Sequence, residues 1–214
     1  EGSTVVTPLT TLVQTLVDNG NAASATAAEA QVKSAFGLSN SIDLSSFDPV
    51  AGVENGVSGA DAVLSAAIKV QNTVVQAASV LKGSSGSSVD YEDAAEAVFS
   101  QMATELTNNP GNSPIDNATK VQSLITNASS SSSLNLDTTA KNQISNAASD
   151  AANIINSSNT TVDGLASSGS SLLQDLAQVA YVAQKSSAEA LFNALDAVQG
   201  DSGSNPDLSA ATTA

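Results

Sequence analysis

Between residues 59 and 82 the apolar side chains return every third or fourth position. Leu64, Ala67, Ile68, Val74, Val75, Ala78 and Leu81 fall on one face of a helix, with Gln71 on the same face. No stretch elsewhere offers the competing signal, an alternating run of β-branched residues long enough to build a sheet. A 3.6-residue period that recurs along the chain, with nothing of period two, predicts an all-α fold.

The helix boundaries are marked by local chemistry. Thr7 before Pro8 reads as an N-cap followed by a proline at the first helical position, where its missing N–H costs nothing. Leu9, Leu12, Val13, Leu16 and Val17 form the first stripe, and Asn19-Gly20 ends it. A second helix over 25–36 turns Ala28, Val32, Ala35 and Phe36 inward, and Gly37 stops it. Asp48-Pro49 repeats the cap-and-proline signal for a short helix that closes at Glu54-Asn55-Gly56. The helix over 59–82 should give way to a flexible joint at Gly83 and the Ser/Gly run 84–88.

Further helices are expected over 91–108 on Ala95, Val98, Phe99, Met102 and Leu106, and over 117–129 on Val121, Leu124, Ile125 and Ala128. Another follows the Asp137 cap on Ala140, Ile144, Ala147, Ala151 and Ile154. A last one starts near Val162 and runs through Leu172, Leu176, Val179, Ala183, Ala190, Leu191, Leu195 and Val198. The whole predicts six to eight helices packed as an irregular antiparallel bundle, with Val5 and Val6 as a short extended N-terminal arm. An N-terminal helical part (1–83) and a C-terminal helical part (84–200) should pack as one unit, leaving a flexible tail at 201–214. Ser41-Ile42-Asp43-Leu44 is echoed by Ser133-Leu134-Asn135-Leu136, each between two helices.

Charge limits the partners. The chain carries 21 acids against six cations, a net charge of −15, and all six cations are lysines. Such a body repels a phosphate backbone and has no guanidinium for bidentate contacts, so neither nucleic acid nor an anionic membrane surface is expected as a partner. No apolar run approaches the ~20 residues of a membrane helix. The first residues, Glu1-Gly2-Ser3, suggest a processed or excised segment.

Without histidine or cysteine, acid–base chemistry would fall to carboxylates alone, and no enzyme activity is expected. The densest acidic group, Asp90, Glu92 and Asp93 beside Tyr91, lies where a helix N-terminus attracts negative charge. Hard oxygen ligands make calcium the one cofactor to consider, and Asp43, Asp48, Glu54 and Asn55 share one loop-rich stretch, though in no EF-hand spacing. Four Asn-x-Ser/Thr sequons begin at Asn117, Asn127, Asn156 and Asn159.

Three stretches carry a family resemblance: Val5-Val6-Thr7-Pro8-Leu9-Thr10-Thr11-Leu12-Val13, then Phe36-Gly37-Leu38, then Ile42-Asp43-Leu44-Ser45-Ser46-Phe47-Asp48-Pro49-Val50. Together with Lys69-Val70-Gln71-Asn72-Thr73-Val74 they resemble a helical module of very large secreted or surface proteins of cyanobacteria and other aquatic bacteria. Those proteins often carry cadherin-like, immunoglobulin-like or RTX repeats as well. The resemblance spans about the first 80 residues and implies a secreted or cell-surface, adhesive or matrix setting. The extended arm, Val5 and Val6, suits pairing with a neighbouring domain or subunit, so self-association or neighbouring domains of a larger protein are the partners expected beside the resemblance. The resemblance brings no catalytic residues, and the chain lacks the glycine-aspartate nonapeptides of RTX repeats. A ligand-binding helical module, for a surface glycan or a small hydrophobic molecule, is the alternative.

Overall fold

A computed structural model describes residues 4–165, 171–201 and 203–212, with Ser87 lacking a described side chain. Its elements are α1 (Pro8–Asp18), α2 (Ala25–Ala35), α3 (Pro49–Glu54), α4 (Ala60–Ser85), α5 (Tyr91–Asn108) and α6 (Ala118–Ala128). They continue with α7 (Thr138–Leu165), α8 (Leu172–Tyr181), α9 (Ala188–Ala197) and α10 (Ser209–Thr212). A π-helical stretch, Val182–Ser187, joins α8 to α9 without a break, so the described residues form nine separate rods and no strand. The all-α bundle is as expected, with one short rod beyond the expected range.

The caps act where the sequence puts them. Thr7 Oγ1 accepts from Thr10 N–H at 3.2 Å while Thr10 Oγ1 accepts from Thr7 N–H at 2.8 Å, a reciprocal box built from two threonines. Asp48 Oδ1 accepts from the N–H groups of Val50 and Ala51, and Asn117 and Asp137 cap α6 and α7 in the same way.

α4 is the axis of the fold. It packs on α1, α3, α5, α7, α8 and α9, and 19 of its 26 residues are buried. That is burial on all sides, so the single stripe expected from periodicity is too narrow: Val63, Ala66, Val70, Ala77 and Val80 are buried as well. One contiguous core runs from Leu9 in α1 to Ala211 in α10. A smaller cluster, Leu64, Val162, Leu172 and Leu176, joins α4, α7 and α8.

The joint expected at 83–88 is ordered helix. α4 continues through Gly83 to Ser85, and Gly86–Ser88 form a 3-10 turn. Ser84 and Ser85 hydroxyls donate to the carbonyls of Val80 and Lys82, and Lys82 Nζ donates to the carbonyls of Gly86 and Val89. α7 likewise runs through Val162 instead of ending before it. The tail differs too. Residues 202, 213 and 214 lie outside the description, but Leu208 and Ala211 are buried and α10 packs on α9 and the π stretch.

The two echoing stretches fold alike. Ser39 and Ser41 hydroxyls share a 2.8 Å hydrogen bond, as do those of Ser131 and Ser133. Ile42 and Leu44 are buried in one turn, Leu134 and Leu136 in the other, and each turn follows an 11-residue helix.

A polar seam crosses the core. Asn159 of α7 donates to Thr73 Oγ1 at 3.0 Å, and Gln184 of the π stretch donates to Asn72 Oδ1 at 2.9 Å. Asn72, Thr73 and Gln76 are fully buried on α4. One turn beyond Thr73 and Asn159, Lys69 pairs with Asp163 at 2.6 Å. Buried amides paired across three elements fix the helices' relative register, because an unmade bond there leaves its partner desolvated. The sequon at Asn159 is therefore closed in the folded chain, its acceptor 3% exposed and bonded. Asn156 is half-buried, and Asn117 and Asn127 are exposed.

Tyr91 ties α5 to α4. Its hydroxyl donates to the Val75 carbonyl at 3.1 Å; the residue is 42% exposed as a whole, and desolvation at its hydroxyl end pushes its pKa up to about 12. The folded value lies above the unfolded one, so the stabilisation is complete below about pH 10 and is lost as pH rises towards 12. In a Tyr181→Phe variant, absorbance at 295 nm should show a single phenol titrating well above the free value. Titration at the free value would show that the ring does not pack on α4.

Candidate functional site

The residues expected to hold calcium stand apart in role. Asp43 Oδ1 accepts from the N–H and hydroxyl of Ser45, at 3.0 and 2.7 Å, and Oδ2 accepts from the Ser46 hydroxyl at 2.9 Å. These bonds, the Ser45 hydroxyl first, hold its carboxyl below the usual range. Asp48 caps α3, Asn55 Nδ2 donates to the Ala51 carbonyl, and Glu54 is exposed at the end of the helix. Among the described residues no three acidic side chains lie close enough together to hold a metal ion. Calcium takes six to eight oxygens, and this stretch uses its carboxylates to shape a turn and start a helix.

The arm is folded back. Thr4 and Val5 N–H groups both donate to the Ser45 carbonyl, at 2.9 and 3.3 Å, and Thr10 Oγ1 donates to the Val5 carbonyl. Val5 is half-buried while Val6 is 87% exposed. The expected free strand is thus a bend whose N–H donors point into the fold, leaving Val6 as its outward group. Residues 1–3 lie outside the description. At the other acidic group, Glu92 and Asp93 occupy the first turn of α5, where the helix dipole favours them.

A concave feature lies elsewhere. A cleft of about 790 Å³ opens between α7, the α8–π junction and the tail. α7 contributes Asp150, Asn153, Ile154, Ser157, Ser158 and Thr161, a face that is mostly exposed and polar. Gln178, Val179, Val182 and Ser187 form the second wall, and the tail from Pro206 to Thr212 closes the third. The tail is held there by Leu208 and Ala211, and by a turn in which Asp207 Oδ1 accepts from Ser209 N–H at 3.0 Å. That bond holds the Asp207 carboxyl below its usual range, so it stays ionised.

The cleft has a definite chemical character. Asp150 and Asp207 are its charged groups, no lysine lines it, and the rest divides between hydroxyls or amides and aliphatic carbon. None of its lining residues is aromatic. Its volume falls in the range of small-molecule sites, about 300–1,000 Å³. No local signal marks it, because its walls come from three separate segments, 150–161, 178–187 and 206–212, and each looks like a solvated helix face or a linker on its own.

No family model, curated protein or solved structure matches the chain.

Proposed function

We propose that the chain is a non-enzymatic structural module of a secreted or cell-surface bacterial protein, presenting an acidic, hydroxyl-rich helical body to its neighbours. The observation that carries this reading is where the acidic groups go. Asp43, Asp48 and Asp137 shape turns and cap helices, Glu29 pairs with Lys33, and Asp163 pairs with Lys69. Carboxylates used this way build a scaffold and leave net negative charge outward, which keeps such a body soluble and screens it from anionic surfaces. Val6, 87% exposed at the fold's N-terminal bend, is the group on which contact with a neighbouring domain or a second copy would turn. The test is size and morphology, by light scattering and electron microscopy, with and without EDTA. The expected result is concentration-dependent assembly that Val6→Asp weakens while helical content by circular dichroism stays unchanged. A chain that stays monomeric at every concentration removes the self-assembly reading. Assembly lost in EDTA would instead assign it to a divalent cation.

The cleft favours the second reading, a ligand-binding module. Its aliphatic floor suits a small partly apolar molecule, and the absence of rings in its lining argues against a stacked sugar.

A further inference from the structure

We infer that the cleft between α7, the α8–π junction and the tail binds aliphatic ammonium compounds, with the cationic head held between Asp150 and Asp207 and the hydrocarbon body on Ile154, Val179 and Leu208. The inference rests on the second reading above and names its ligand class.

Three features of the lining select that class. The first is charge. Two carboxylates from separate elements line the cleft with no cation beside them, on a chain of net charge −15, so an anion is repelled and a cation is drawn in. The second is the aliphatic wall, which a bare metal ion would leave unused and an alkyl chain would cover. The third is Ser187. It lines the cleft from the π stretch at 3% exposure. Its hydroxyl both donates and accepts, so an ammonium or hydroxyl group on the ligand can bond to it. The missing aromatic lining separates this site from the cages that bind quaternary ammonium through cation–π contacts, so primary and secondary amines that donate hydrogen bonds are the fitting ligands.

The experiment uses the full chain and four probes: 1,6-diaminohexane, hexylamine, hexan-1-ol and hexanoate, followed by calorimetry and by amide chemical shifts. Both amines should bind, shift the amides of Val179, Val182 and Ser187, and weaken as salt rises. Hexanoate should not bind. Asp150→Asn with Asp207→Asn should weaken amine binding by about tenfold or more, the loss of charge-assisted bonds, and leave the alcohol unaffected. Asparagine at 207 keeps an acceptor for Ser209 N–H, so the tail turn is retained. If alcohol and amine bind equally and the double variant changes neither, the ammonium class is wrong while the cleft remains a ligand site. If no probe moves those amides at millimolar concentration, and Ser157→Trp, which fills the cleft, changes nothing, the ligand-binding reading falls with it.

Discussion

Leu81→Ala is expected to lower the free energy of unfolding by about 2–5 kcal/mol. Leu81 is fully buried near the C-terminal end of α4, the helix on which α5, α7 and α9 all pack. The size of the loss depends on how far the surroundings can move into the space left behind. Around a surface helix one side can relax towards solvent, but α4 is enclosed, and its neighbours are held in register by the Asn72–Gln184 and Thr73–Asn159 bonds. Collapse is therefore restricted and the upper half of the range is favoured. A domain of this kind has about 5–15 kcal/mol in all, so the variant should melt far earlier. The chain has no tryptophan, so denaturant curves are read by circular dichroism. A loss below about 1 kcal/mol, at an unchanged dependence on denaturant, would mean that α4 is not enclosed.

Two residues on, the opposite change should also destabilise. Gly83 sits inside α4, where alanine would ordinarily be favoured by roughly 0.5–1 kcal/mol. Here a Cβ would lie 2.6 Å from the backbone carbonyl oxygen of Phe192 and 2.8 Å from Leu195 Cβ. The first of these is backbone and cannot rotate away, so α9 would have to move off α4 as a body. Gly83→Ala is expected to cost about 1–3 kcal/mol net, and Gly83→Val more. Gly164 on α7 is the control: a Cβ there meets nothing within 4 Å, and Gly164→Ala should be neutral or slightly stabilising. If both alanine variants gain stability, α4 and α9 are not in the close contact described.

These two sites show which parts of the fold the sequence discloses. Caps are local, so Thr7-Pro8, Asp48-Pro49 and Asp137 could be placed from neighbouring residues alone, and each does what its chemistry requires. Burial on the far side of a helix is not local. Gly83 looked like a hinge because glycine after a stripe usually ends a helix, and the reason it does not lies about 110 residues away at Phe192. Nothing local marks Asn72, Thr73, Gln76 and Asn159 as buried, because one sequence cannot show that polar groups will find each other across helices. The tail read as a linker, since only Leu208 and Ala211 anchor it, on a face that exists once α7 and the π stretch have packed. The cleft follows from that same docking, which is why none of the residues first considered for ligand binding lines it.

The π stretch also settles a question of phase. Leu176 and Leu195 both turn inward on a rod that faces α4, yet they are 19 residues apart. At about 100° per residue an unbroken α-helix would bring Leu195 round some 100° from Leu176, onto the flank of the rod. The wider π turn absorbs about one residue's rotation and returns Leu195 to the same side. Val182–Ser187 thus works as a spacer in angle, not in length. It lets one continuous rod serve two core clusters, the one around Leu176 and the one around Leu195, while carrying Gln184 to the polar seam and Ser187 to the cleft.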